Sequence, residues 1–129
     1  VGLLKLKMIR PFPREKLADA LKGVKAVAVF EQNLAPGRGG ALYPEIVEAL
    51  YHSSRRPAVV LSFIGGIGGM QVGLPEVETM VRRCQEALEI GTAPEHPILL
   101  VRREDAERLR TLLELATSRT VEIETVSKA

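Results

Sequence analysis

The chain has one cysteine, Cys84, and that scarcity removes whole classes of function. A disulfide framework, a four-thiolate zinc site and an iron–sulfur cluster ligated from this chain alone all need more thiols. A lone thiol in 129 residues also points to a reducing compartment, so the expected location is cytoplasmic. Charge of a single sign is lacking as well. The 18 basic and 16 acidic residues are interspersed and leave a formal net charge of +2, without the basic stripe that binds nucleic acid or an acidic membrane. No apolar run approaches the ~20 residues of a membrane span, and the start does not read as a signal peptide. The two histidines, His52 and His96, lie apart without metal-ligand spacing, and Cys84 falls on an apolar helical face as a small core residue. No Ser/His/Asp set and no pair of carboxylates can be assembled from spacing. No catalytic residue and no metal ligand is expected.

What is present is a pair of glycine-rich turns, each placed after an apolar run. Ala58 to Ile64 reads as a buried strand and leads into Gly65-Gly66-Ile67-Gly68-Gly69; Val27 to Phe30 leads into Pro36-Gly37-Arg38-Gly39-Gly40 and then a helical pattern. Glycine lets the backbone adopt positive φ or lie close against a neighbour. Two strand–turn–helix units in a chain this short predict one α/β domain around a largely parallel sheet whose carboxyl edge does the recognising. Neither turn meets the dinucleotide pattern, because Gln71 and Leu42 stand where a third glycine belongs, and Gly68 to Gly73 leads to Leu74-Pro75 instead of the Lys-Ser/Thr of a phosphate loop.

Further elements follow from periodicity. Val1 to Ile9 alternates Leu4, Leu6 and Met8 against Lys5 and Lys7, which predicts a first strand ended by Pro11 and Pro13. Pro13 opens a helix with Leu17, Ala20, Leu21 and Val24 on one face and Gly23 as its cap. Ala26 to Glu31 is the next strand, followed by a helix with Leu42, Ile46, Ala49 and Leu50 inward. Pro75 opens a helix to about residue 90 with Val77, Met80, Val81, Cys84 and Leu88 inward. A final unit has strand Pro97 to Val101, a helix from Glu104 to about Thr117 burying Ala106, Leu109, Leu113 and Ala116, and an edge strand Val121 to Val126. The candidate ligand or interface edge comprises Arg10, Glu31, Gly37, Arg38, Gly39, Gly40, Gly65, Gly66, Gly68 and Gly69. Arg10 and Arg38 are the residues there suited to a phosphate or carboxylate.

Four segments, in order and spacing, carry a resemblance: Val1-Gly2-Leu3-Leu4-Lys5 through Arg10-Pro11-Phe12-Pro13; Val27 to Asn33; Pro36 to Glu45; and Phe63 to Gly69. Over about residues 1 to 90 the chain resembles the C-terminal part of the alpha subunit of pyruvate:ferredoxin and related 2-oxoacid:ferredoxin oxidoreductases. The resemblance implies a domain similar to the C-terminal domain of transketolases, three-layer α/β/α with helices on both sides of a largely parallel sheet, in an enzyme that converts a 2-oxoacid oxidatively to an acyl-CoA and carbon dioxide. Thiamine diphosphate, magnesium and iron–sulfur clusters belong to the parent complex and are held by other domains, with ferredoxin and CoA as partners of the complex. This domain is then a packing and assembly element near subunit interfaces, binding no cofactor itself and not catalytic alone.

The chain departs from that pattern where it has Glu31-Gln32 in place of an Asp-Arg pair and Met70-Gln71 in place of Arg-Asp. The family's preceding strand and helix are also missing before Val1, so the chain reads as a fragment of a longer subunit, with residues 95–129 a strand–helix–strand extension. Self-association, as a homo- or hetero-oligomer, is expected near Val1 to Ile9. Two alternatives stand beside this reading. One is a stand-alone module capturing a phosphate-bearing ligand such as CoA at Arg10, Arg38 and the glycine turns; the other is a C-terminal domain of another thiamine enzyme, which shares the pattern from Val27 to Glu45.

Overall fold

Val27 and Val29 on one face and Ala26 and Phe30 on the other make Ala26–Glu31 a strand with an apolar residue at nearly every position, and it forms β1. A computed structural model describes residues 1–35, 39–108 and 122–127. After α1 (Arg14–Ala20) and β1 come α2 (Leu42–Tyr51), β2 (Val59–Ile64), a short 3-10 turn at Ile67–Gly69, α3 (Leu74–Ile90), β3 (Ile98–Arg102), α4 (Arg103–Arg108) and β4 (Glu122–Val126). The strands stand in the order β1-β2-β3-β4, all parallel.

Period-2 alternation sends the strand residues to two cores. On one face Val59, Leu61, Phe63, Ile98, Leu100 and Val126 pack under Met80, Cys84 and Ala87 of α3. On the other, Val29 meets Leu17 and Leu21 and then Ile46 and Leu50 of α2, while Ile64, Leu99 and Val101 lie near Ala106 of α4. The result is the expected three-layer α/β/α arrangement. Ser62 points to the second face between these two clusters, and its buried hydroxyl makes no hydrogen bond among the described residues.

The register is stepped. β1 and β2 pair over six residues from Ala26↔Val59 to Glu31↔Ile64, but β2 meets β3 only at Phe63↔Ile98 and Ile64↔Leu99. β3 and β4 therefore start four residues later than β1 and β2, a step of roughly 13 Å at strand rise.

Several expectations are corrected. Val1 to Ile9 is not a strand: it has no ladder partner among the described residues, with Leu3 94% exposed and only Leu6 packed against the α1–α2 core. A strand is held by cross-strand bonds and cross-strand side chains, and no strand of the sheet takes up this segment. Ala20 and Val24 are exposed; α1 stops at Ala20, and Leu17, Ala18 and Leu21 are the residues of this segment on the core. Val77 is exposed on the flank of α3, and its place on the inner face is taken by Glu76. β4 is the expected edge strand, and its glutamates lie on the α3 side: Glu124 reaches Arg82, Glu122 reaches Arg83, and Ile123 on the other face is 40% exposed. The arginines of α3 make that face the favourable one for carboxylates. Leu109, Leu113 and Ala116 lie outside the described residues.

Candidate functional site

The carboxyl edge is built around a buried carboxylate. Glu31 ends β1 and is only 3% exposed, so its charge needs hydrogen-bond donors. Its Oε1 accepts the backbone N–H of Leu42 at 2.6 Å and Nδ2 of Asn33 at 3.2 Å, and its Oε2 accepts the N–H of Tyr43 at 3.1 Å. Asn33 also accepts the Ala41 N–H at 3.2 Å. Ala41, at the N-cap of α2, offers no side chain for those orphan amides. Glu31 supplies the cap from a neighbouring element, and a negative charge there is also favoured by the helix dipole.

Gly40 is bare because the Glu31 carboxylate occupies the space its side chain would need. Gly39, at φ 76°, exchanges backbone hydrogen bonds with Ala35 at 2.7 and 3.1 Å and lies against Pro97. Gly37 and Arg38 lie outside the described residues. The second turn is tied to the first strand, since the Gly65 N–H donates to the Glu31 carbonyl at 3.0 Å. Gly65 is bare because the Phe30 ring and Leu100 close on it. Gly66, Gly68 and Gly69 have φ of 69°, 72° and 81°; Gly66 is crowded by Gln32, while Gly68 and Gly69 face open space.

A second buried carboxylate closes α3. Glu76 Oε2 accepts the Gly73 N–H at 2.7 Å, and Arg102 from β3 donates to both of its oxygens at 2.8 and 3.4 Å. The Arg102 guanidinium, helped by the Gly73 amide and opposed by burial, holds the Glu76 carboxyl below its ordinary range. Beside this pair an open cleft of about 400 Å³ is lined by Arg102, Arg103, Glu104, Val126 and Ser127. Arg10 is 69% exposed and pairs with Glu45 of α2 at 2.8 Å, which brings it to the same edge without a strand beneath it.

Thus Arg10, Glu31, Gly39, Gly40 and the turn from Gly65 gather at one edge. The sequence reading missed Asn33, Glu76 and Arg102. The spacing Gly73-Leu74-Pro75-Glu76 is half of a capping-box signature and could have marked Glu76; nothing local marks Arg102. Burial pushes the Cys84 thiol up, away from thiolate chemistry. Among the described residues there is no group of His, Cys, Asp or Glu side chains able to hold a metal ion, and no helix is long and apolar enough to cross a membrane.

The model of pyruvate:ferredoxin oxidoreductase core domain II matches residues 1–77. The chain belongs to that family. Among its relatives, the ketoisovalerate oxidoreductase subunit VorA of Pyrococcus abyssi is 34% identical over 91 residues, 70% of this chain and 23% of the relative. The pyruvate synthase subunit PorA of Methanothermobacter thermautotrophicus is 40% identical over 85 residues, 66% of this chain and 21% of the relative. The alpha subunit of the NADH-dependent phenylglyoxylate dehydrogenase of Aromatoleum evansii is 33% identical over 102 residues, 78% and 24%. The core domain II chain thus spans about a quarter of the length of the curated relatives it matches. No solved structure matches it.

Proposed function

We propose that this core domain II chain is a structural and assembly domain of a cytoplasmic 2-oxoacid:ferredoxin oxidoreductase, one that converts a 2-oxoacid, pyruvate in the leading reading, to an acyl-CoA with thiamine diphosphate, magnesium and iron–sulfur clusters held elsewhere in the complex. Its partners are the other domains and subunits of that enzyme, with ferredoxin and CoA meeting the complex as a whole. Residues 1–129 act as one domain, with residues 95–129 extending the family-like part. The observation that carries this reading is the closure of both long-helix N-termini at the carboxyl edge by internal carboxylates, Glu31 on α2 and Glu76 on α3.

A diphosphate does not fit there. Its charge would meet the Glu31 carboxylate where a phosphate site needs free amides. The rival reading, capture of CoA through Arg10 and the glycine turns, is weakened for the same reason, and Arg10 is already committed to Glu45. Relatives named for ketoisovalerate, pyruvate and phenylglyoxylate match this domain at 34%, 40% and 33% identity, which supports a role other than choosing the oxoacid.

The test is Glu31→Gln in the full-length subunit, read by native mass and by turnover per assembled enzyme. The expected result is reduced assembly with turnover of the assembled fraction within about twofold of wild type. A fully assembled variant whose turnover falls more than about tenfold, a rise of more than about 1.4 kcal/mol in the barrier, would place this edge in the chemistry instead.

A further inference from the structure

Several of the apolar residues that this fold leaves bare lie along the open edge of β1, the end strand of the sheet. The Glu31 carbonyl accepts the Gly65 N–H and the Lys25 carbonyl accepts the Ala58 N–H, so the odd-numbered residues of this stretch are the ones bonded toward β2. In a parallel ladder the residues between them turn their N–H and C=O groups the other way. Ala26, Ala28 and Phe30 therefore present backbone donors and acceptors outward, and among the described residues none of those groups has a backbone partner. Ala28 is exposed in mid-strand. Natural edges are blunted by charge, proline or a bulge, and Ala26 to Phe30 has none of these.

The space beside this edge has apolar walls. Arg83 reaches across to Glu122 of β4, and at about 100° per residue Leu74, Val77 and Val81 fall on the opposite flank of α3, the flank that overlooks β1. Leu74 and Val77 are exposed and Val81 is half-buried. On the other face Leu17 and Leu21 share a core with Val29, while Ala20 and Val24 beside them stay exposed. The rim of the α3 flank carries Glu78 and Glu89, both exposed and without an ion pair among the described residues. The stretch 109–121 joins α4 to β4, and both of those elements stand at the far side of the sheet from β1. A further strand laid beside β1 gains ladder bonds and covers apolar surface on both faces at once.

The segment that matches this space is Val1 to Ile9. It alternates as a strand does, has no ladder partner among the described residues, and spans about 30 Å when extended, enough to run the length of the six-residue β1. In its own copy it is pinned by Arg10 on Glu45 and by Leu6 on the α1–α2 core, yet takes no place on β1. The Leu6 contact sets Leu4, Leu6 and Met8 toward the α1–α2 layer and leaves Leu3, Lys5, Lys7 and Ile9 for the α3 flank. Charge agrees with that parity. Val1 to Ile9 holds Lys5 and Lys7 and no acidic residue, and lysine stems laid on Val77 and Val81 carry their heads to the Glu78 and Glu89 rim. We propose that two copies of this chain exchange these segments, each laying its Val1 to Ile9 along the β1 edge of the other as an added strand. The contact is isologous and therefore closes at two copies. It does not depend on the assembly role proposed above, whose test at Glu31 reads a different surface.

The test is light scattering and sedimentation of the 129-residue chain over a concentration series, with hydrogen exchange at the Ala26, Ala28 and Phe30 amides measured on both sides of the transition. Wild-type mass should rise from 14.1 kDa toward twice that value. The three amides should exchange at least about tenfold more slowly in the dimer than in the monomer. Ala28→Pro removes one outward N–H and leaves the β2 ladder intact, a change that edge strands tolerate. Leu4→Gln/Met8→Gln removes the apolar stripe of the added strand. Each variant should raise the dissociation constant at least about tenfold. Should Ala28→Pro unfold the chain, the wild-type exchange rates and the Leu4→Gln/Met8→Gln variant carry the decision. A wild type that stays monomeric at every concentration, a dimer whose three amides exchange as fast as in the monomer, or a dimer unmoved by Leu4→Gln/Met8→Gln would each overturn the proposal. So would slow exchange of the three amides in the monomer, because the segment would then close on its own β1.

Discussion

The Glu31 carboxylate and the α-carbon of Gly40 are so close that a β-carbon on residue 40 would overlap the Oε2 atom. The absence of a side chain at one residue is therefore the condition for the helix cap supplied by the other. Gly40 is not among the positive-φ glycines, so its requirement is space, not backbone freedom.

This separates the glycines by mechanism. Gly40→Ala should push the carboxylate off the Leu42 and Tyr43 amides, at a cost of about 1–3 kcal/mol for buried groups left unsatisfied. Gly68→Ala has open space around it and φ of 72°, so its loss should be on the order of 1 kcal/mol. Gly2→Ala meets nothing within 4 Å and should be neutral. Thermal melts of the three variants should rank in that order, and a Gly40→Ala melt equal to that of Gly2→Ala would show that Glu31 does not need its present position.

The Glu76–Arg102 pair predicts a pH dependence. The folded carboxyl lies below its unfolded value, so its stabilisation is fully present above the ordinary glutamate range and is lost as pH falls through the lowered folded value. Wild type should exceed Glu76→Gln in melting temperature at neutral pH, and the gap should close on acidification below the ordinary glutamate range. A gap that stays constant from neutral pH to about pH 3 would remove the ion pair as its cause.

Ser62 offers the opposite case. Its buried hydroxyl makes no hydrogen bond among the described residues, so removing it forfeits none there. Ser62→Ala should leave stability unchanged or raise it by up to about 1 kcal/mol, measured by urea denaturation. A loss above about 1 kcal/mol would mean that the hydroxyl has a partner after all.

The parts of the fold legible in the sequence were those written in local pattern. β1 at Ala26–Glu31 and α3 with Pro75 near its start follow from alternation, helical periodicity and turn residues acting over a few positions. The glycine turn after β2 was likewise visible, with Gly66, Gly68 and Gly69 at positive φ. Val1 to Ile9 alternates as a strand does, yet pairing is a property of the neighbour and no pattern within nine residues can supply one. Which face of β4 meets α3 was not legible for a related reason: the partners of Glu122 and Glu124 are Arg83 and Arg82, some 40 residues away. In the candidate site, Gly65 and Glu31 were found, but the role of Glu31 was not, because its partners are backbone amides 11 and 12 residues on.

The two-rung join between β2 and β3 gives α3 a mechanical duty. With so few ladder bonds across the middle, the β1–β2 half and the β3–β4 half would be free to shear, were it not that Met80, Cys84 and Ala87 share one core with Phe63, Leu100 and Val126 while Phe30 packs against its border. The helix acts as a splint laid across a weak seam. Pulling the domain from its two ends should split it along that seam once the splint lifts, leaving a β1–β2 half and a β3–β4 half each still internally paired.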